Sequence, residues 1–330
     1  MTGKDPSVSV CRLCCSLPGL VLLAALLGGC STPPPTPLRV ASNVWSGYEP
    51  LYLARSLGYY PEGSIRLLEL SSATQVLHEL RNATIDAAAL TLDEALTLVA
   101  DGYAVKLVLV MDVSNGADVL LAHPEITDLK ALRGKRVGVE DTAVGALLLE
   151  SALDAAGLDV TDIQPVHVTV DQHQRVYEQG QVAALVTFEP IRSRLLAEGA
   201  RVLFDSSRIP GRIIDVLVVR EGLEEQQQAQ LRVLIRGYFR ALDYQHQHPV
   251  DAAGRMQARL RLKPAEILKS YHGLKQPDAA ENRRLLTGHP APLDSRAAEL
   301  AGFMYRHRLL RREIEISGLA TARYLPAQIP

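Results

Sequence analysis

Ile85-Asp86-Ala87-Ala88-Ala89-Leu90-Thr91 runs without a break into Leu92-Asp93-Glu94. The first part is a short apolar run of strand length, and Thr91-x-x-Glu94 is a capping box that opens a helix. Gly102 supplies the stop. The same alternation spreads outward. Upstream, Leu38–Val44 reads as a strand, Pro50–Leu57 as a helix closed by Gly58, Ile65–Leu70 as a strand, and Ser72–Asn82 as a helix opened by Ser72-x-x-Gln75. Downstream, Lys106–Asp112 and Asp118–His123 read as strands separated by Ser114-Asn115-Gly116. Arg136–Glu140 is a strand and Ala143–Ala156 a helix that Gly157 ends. Pro165–Val170, Ala183–Phe188, Arg201–Asp205 and Ile213–Val219 complete the strands, and the chain beyond Glu221 is mainly helical. Strands alternating with helices predict an α/β fold with mainly parallel sheets.

The N-terminus carries a different pattern. Leu17–Leu27 is an apolar run preceded by Lys4 and Arg12. It is shorter than the roughly 20 residues a bilayer-spanning helix needs, and it fits the apolar region of a signal peptide. The run ends in Leu27-Gly28-Gly29-Cys30, similar to a bacterial lipobox, whose Cys is acylated and becomes the mature N-terminus. Residues 1–29 are therefore expected to be a lipoprotein signal peptide, with Cys30 lipidated. Residues 30–37, rich in Pro, form a stiff tether. Cys11, Cys14 and Cys15 leave with the signal, so the folded chain has no thiol for a disulfide, a zinc cluster or a nucleophile.

Composition bounds the partners. Apolar residues make up 47% and charged residues 22% of the chain, a globular balance. The formal charge is −2, and no basic patch stands out, so nucleic acid is not an expected partner. His246 and His248 are two apart on a helix end and diverge; the other histidines are scattered. Neither a metal nor a cofactor is expected.

Four segments in order carry a resemblance. Trp45-Ser46-Gly47-Tyr48-Glu49-Pro50-Leu51-Tyr52-Leu53-Ala54-Arg55 is followed by Gly58-Tyr59-Tyr60. Then come Ile85–Thr91, Leu132-Arg133-Gly134-Lys135-Arg136-Val137-Gly138-Val139, and Leu185-Val186-Thr187-Phe188-Glu189-Pro190. The chain resembles the ABC-importer solute-binding proteins for nitrate, sulfonates, taurine and pyrimidine precursors. That resemblance implies a two-lobed periplasmic-binding-protein fold of type II, with two mainly parallel sheets joined by two crossover strands. Carried over, the crossovers fall near Met111–Leu120 and Ile214–Val218. Lobe one is residues 38–113 with 217–330, and lobe two is 118–213. It also implies a monomer that closes on a small solute and presents it to an ABC permease, held to the bilayer through Cys30. The expected compartment is the periplasm or cell surface.

In open α/β sheets, ligands sit beyond the carboxyl ends of strands, and two lobes set two such edges face to face. The turns at those edges nominate Trp45, Tyr48, Glu49, Thr91 and Asp93 from lobe one. Glu140, Thr142, Thr187 and Glu189 come from lobe two, and Ser114, Asn115, Asp118 and Asp215 from the crossovers. Several have duties without a solute: Glu49 and Glu189 precede Pro at helix starts, and Thr91, Asp93 and Thr142 suit caps. None of these turns contains Lys or Arg. The acids disfavour an anion and favour an amine or a nitrogen heterocycle, with Trp45 or Tyr48 offering a π face.

Two other classes share the fold. A sensory lipoprotein would hand its closed form to a membrane receptor instead of a permease. A pyrimidine-synthase-like enzyme would need a Cys-rich segment and a reactive His in the folded chain, and the folded part has no Cys.

Overall fold

The structure, a computed structural model, describes residues 36–327, so the signal-peptide and Cys30 expectations lie outside the described residues. Eleven strands form two sheets among the described residues. The first sheet opens with β1 (Leu38–Ser42), which pairs in parallel with β2 (Ile65–Glu69) and β3 (Ala87–Thr91). Helix α1 (Glu49–Ser56) and helix α2 (Ala73–Arg81) make the first two connections, and α3 (Leu92–Ala100) comes directly after β3. Strand β4 (Val105–Ser114) completes the first pass through this sheet. The chain then builds the second sheet from β5 (Val119–Ala122), β6 (Arg136–Val139), β7 (Gln164–His167), β8 (Ala184–Thr187) and β9 (Arg201–Asp205). Helices α4 (Ala143–Asp154), α5 (His173–Glu178) and α6 (Ile191–Ala197) connect them. The chain returns to the first sheet as β10 (Ile214–Arg220).

Beyond β10 the chain is mainly helical, as read from the sequence: α7 (Glu225–Gln247), α8 (Pro249–Leu260), α9 (Pro264–Ser270), α10 (Ala279–Leu286) and α11 (Pro292–Arg306). A two-residue strand, β11 (Leu274–Lys275), interrupts them and pairs with β4. Helix α7 buries Leu231, Leu234, Ile235, Tyr238 and Leu242, a stripe at helical period that faces the core. Among the described residues no helix is long and apolar enough to cross a membrane.

The α/β class and the two-sheet plan match the sequence expectation, and both sheets are mixed. Strand β10 lies antiparallel between β3 and β4, and β5 lies antiparallel between β8 and β9. The cause is the path of the chain. A strand that enters from the other sheet starts at the edge where its neighbours end, so it runs against them. The chain leaves the first sheet between Ser114 and Val119 and returns between Asp205 and Ile214. The second crossing therefore precedes the expected Ile214–Val218, which is wholly a paired strand. Val216–Val219 are fully or almost fully buried, and their apolar run is a central strand's, not a linker's.

This path decides what meets at the edge. Asp215, at the start of β10, pairs with Thr91 at the end of β3 and with Asp112 near the end of β4. Thr91, Asp215 and Asp112 thus stand side by side on three strands. The register of β4 slips by one residue at Met111, a bulge immediately before Asp112. Its polar groups are still met: Asn282 of α10 bonds both the N–H and the C=O of Val110, at 2.7 and 3.0 Å, and Tyr238 donates to the Met111 carbonyl at 2.9 Å. In the second sheet, β5 begins one residue after Asp118, with Val119 opposite Thr187, and Glu140 comes just past the end of β6.

Candidate functional site

Between the two edges lies a cavity of about 30 Å³. From the first sheet it is lined by Asn43, Trp45, Tyr48, Ala73, Thr91, Glu94 and Asp215. Asp118, Glu140, Val144 and Phe188 line it from the second side. Three aromatic rings and four carboxyl groups share this small space, and no Lys or Arg lines it among the described residues.

Trp45 is held from two directions. Its indole N–H donates to Asp112 Oδ2 at 3.1 Å, and its ring meets Phe188 edge-to-face with centroids 5.5 Å apart. The adjoining short 3-10 turn, Ser46–Tyr48, makes this possible only with glycine at position 47. A Cβ there would lie 1.8 Å from Asp112 Oδ2 and 2.5 Å from the Trp45 ring nitrogen. Tyr48 donates its hydroxyl to Asp215 Oδ1 in a short hydrogen bond. The side-by-side acids Asp112 and Asp215 are each anchored by one aromatic donor.

The carboxyl groups are buried and under-partnered. Asp112 Oδ1, Asp118 Oδ2, Glu140 Oε1, both oxygens of Asp93 and the Thr91 hydroxyl oxygen are buried without a hydrogen-bond partner. Burial favours the neutral acid. It pushes Asp118 and Glu140 up to about 7, with Asp93 and Glu189 adding to the first and Asp171 to the second. Burial, then the neighbouring Asp93, raises Glu94 to about 8. Asp215 rises well above the carboxylate range through burial and then the charge of Asp112 beside it. Helix N-termini offset little of this, since a helix dipole contributes about 0.3–1 kcal/mol while burying an unpaired charge costs several.

Among the expected site residues, Trp45, Tyr48, Thr91, Asp118, Glu140 and Asp215 come together in the cavity. Asp93 is buried at the start of α3 but is not among the lining residues. Thr142 caps α4 by accepting from Gly145 N–H at 3.2 Å, and lines two adjoining hollows instead of the main one. Glu49 turns away to Arg259, whose Nε lies 2.8 Å from its Oε1, while Arg259 also pairs with Glu69 and stacks on Tyr52. Glu189 is fully buried but accepts from Arg192 and from the backbone and hydroxyl of Ser193, so it caps α6. Thr187 donates to His173 Nδ1 at 3.1 Å. His173 Nε2 faces the Val168 carbonyl, and burial lowers this ring to about 4, which keeps it neutral. Ser114 bonds Ser206 Oγ at 2.7 Å and Asp118 N–H at 3.2 Å, and Asn115 is exposed with its N–H on the Gly273 carbonyl. These two belong to the crossing, not to the cavity.

Sequence reasoning missed Asn43, Ala73, Glu94, Val144 and Phe188 in the lining, and Asp112 behind it. Glu94 was visible as the last residue of the capping box Thr91-x-x-Glu94. It does accept from Thr91 N–H at 2.9 Å, and the cap and the cavity wall are the same carboxyl group.

A family profile, that of the NMT1-like family, matches residues 31–258, more than half of the chain. The chain belongs to the NMT1-like family. A protein of Escherichia coli (strain K12) named for aliphatic sulfonates binding is 26% identical to this NMT1-like chain over 260 residues, 78% of this chain and 79% of that one. The alkanesulfonate-binding protein SsuA from Xanthomonas axonopodis pv. citri, solved with MOPS bound, superposes with a TM-score of 0.72 at 18% identity, over 86% of this chain and 98% of that one. The periplasmic aliphatic sulphonate-binding protein SsuA from Escherichia coli gives 0.69 at 22% identity, over 86% and 96%. The likeness to these solved structures gives the NMT1-like chain the fold of periplasmic binding proteins, two α/β lobes.

Proposed function

We propose that this NMT1-like protein captures a small amine-bearing or nitrogen-heterocyclic solute between its two sheets and presents it to an ABC permease. The observation that carries the reading is the cavity lining: Glu94, Asp118, Glu140 and Asp215 beside Trp45, Tyr48 and Phe188, without a lining cation among the described residues. A protonated amine gives the unpartnered oxygens donors and a charge to meet, and the rings support it through cation–π attraction. A sulfonate would bring a further negative charge among these acids. At 4 Å and an effective dielectric of 20, each ionised carboxylate would repel it by about 4 kcal/mol. It would be tolerated only with the acids protonated.

A sulfonate remains the second reading, because the relatives' names favour it. Calorimetric titration of the soluble mature chain with amines and heterocycles on one side, and taurine and alkanesulfonates on the other, decides between them. Tight sulfonate binding with no response to cationic compounds overturns the proposal. The lobes are proposed as residues 38–113 with 217–330, and 118–213, closing about the two crossings on the solute. Delivery from the periplasmic face by a monomer tethered through lipidated Cys30 completes the reading. Cys30→Ala should shift the protein from the detergent phase to the soluble fraction, and unchanged partitioning would remove the anchor.

A further inference from the structure

Behind the cavity wall lies a groove of the opposite charge. It spans about 450 Å³ between Pro210–Arg212, in the returning crossing, and helix α11. Arg212, Arg296 and Arg306 line it, and all three are exposed. Glu299 is the single acid in the lining, and among the described residues none of the three arginines has a carboxylate within 4 Å. Arg212 is held over the Phe303 ring, 5.2 Å from its centroid, which orders one guanidinium without neutralising it. Three guanidiniums lining one groove without a carboxylate partner repel one another, and each presents a planar fork of donors suited to phosphate oxygens.

The groove also touches the cavity through shared backbone. Ile214 and Leu92 line the groove, while Asp215, and Thr91 with Glu94, line the cavity. Successive side chains of a strand point to opposite faces, so β10 carries one residue to each site. The groove sits against the segment by which the chain re-enters the first sheet.

We infer that the groove formed by Arg212, Arg296 and Arg306 is a second binding site, for a phosphate-bearing anion. The chemistry is shared by inorganic phosphate and by an anionic lipid headgroup. The inference is independent of the solute in the cavity, so its test uses none. Inorganic phosphate is titrated calorimetrically, at low salt, into the full chain carrying Cys30→Ala. Flotation of the same chain with phosphatidylglycerol vesicles, against phosphatidylcholine vesicles, forms the second arm. Arg212→Ala with Arg296→Ala should weaken phosphate binding, or phosphatidylglycerol retention, by about tenfold or more, the scale of one lost charge-assisted contact. Glu299→Gln should strengthen it. Phosphate binding without selective vesicle retention assigns the site to a free anion, and retention on phosphatidylglycerol alone assigns it to a headgroup. Absence of both, or binding that the double variant leaves intact, overturns the inference. Circular dichroism of the variants, whose altered side chains are all exposed, separates that result from misfolding.

Discussion

The hydroxyls of Ser114 and Ser206 lie 2.7 Å apart and join the two segments by which the chain changes sheets. Ser206 Oγ also accepts the Gly116 N–H at 2.7 Å, and Ser114 Oγ accepts the Asp118 N–H at 3.2 Å. Asp118 is thus carried into the cavity by the same hydrogen bonds that pin the crossings. Ser206→Ala leaves a buried donor unmet and should destabilise the protein by about 1–3 kcal/mol. It should also loosen Asp118 and weaken solute binding a few-fold. Thermal melting and titration check the two effects; unchanged affinity with lowered stability would show that the pair holds the fold only.

Asp118 and Glu189 make opposite predictions although both are buried acids. Asp118 has an oxygen with no partner, whereas Glu189 accepts three hydrogen bonds. Asp118→Asn should lower affinity for a cationic solute by about tenfold or more while leaving the unliganded melting temperature unchanged or raised. Glu189→Gln should lower the melting temperature and leave affinity nearly unchanged. Reversal of this pattern in melting and calorimetry would remove Asp118 from recognition.

The pH dependence has a definite sign. Glu49, Asp118 and Glu140 are raised to about 7 in the fold, above the ordinary carboxylate value near 4. Between these values the folded state binds more protons than the unfolded, so this stability is complete below pH 4 and is lost as pH rises through 7. His173, lowered to about 4, acts oppositely between pH 6.5 and 4, but it is one group against several. The unliganded melting temperature should fall from pH 5.5 to pH 8. Over the same window affinity for a cationic solute should rise, because its binding displaces protons from the acids. A sulfonate's affinity would fall instead, so titration at two pH values separates the two readings by sign.

Gly47→Ala tests the packing of the Trp45 turn. Its Cβ would press on Asp112 and on the indole nitrogen, and neither has room to move within a buried hydrogen bond. The expected cost is about 1–3 kcal/mol, with a shifted emission maximum from the sole Trp. An unshifted spectrum would mean the indole does not depend on this contact.

Local chemistry made much of the fold legible. Glycines, capping residues and apolar runs act within a few residues, which is why the order of strands and helices could be read from Ile85–Glu94 outward. Long-range pairing was not readable. Nothing in Ile214–Val218 says that it lies antiparallel between β3 and β4, and so the second crossing was expected too late in the chain. The same limit governs the site. Trp45, Tyr48 and Glu140 follow strand ends and line the cavity, but Glu49 and Glu189 occupy equivalent turns and point to Arg259 and Arg192. An acid's partner 210 residues away leaves no mark on the local pattern.

The doubled duty of Glu94 has a consequence for how this protein can change over evolutionary time. Asp118 and Glu140 each present a buried oxygen without a hydrogen-bond partner, so on the proposed reading substitutions there are free to retune solute preference. Glu94 also receives the first amide of the turn that launches α3, so losing its acceptor oxygen frays that helix as well as altering the cavity. Descendants drifting toward neutral or anionic solutes would shed the second-sheet acids early. They would keep an acceptor at position 94, with glutamine the replacement that preserves the helix start.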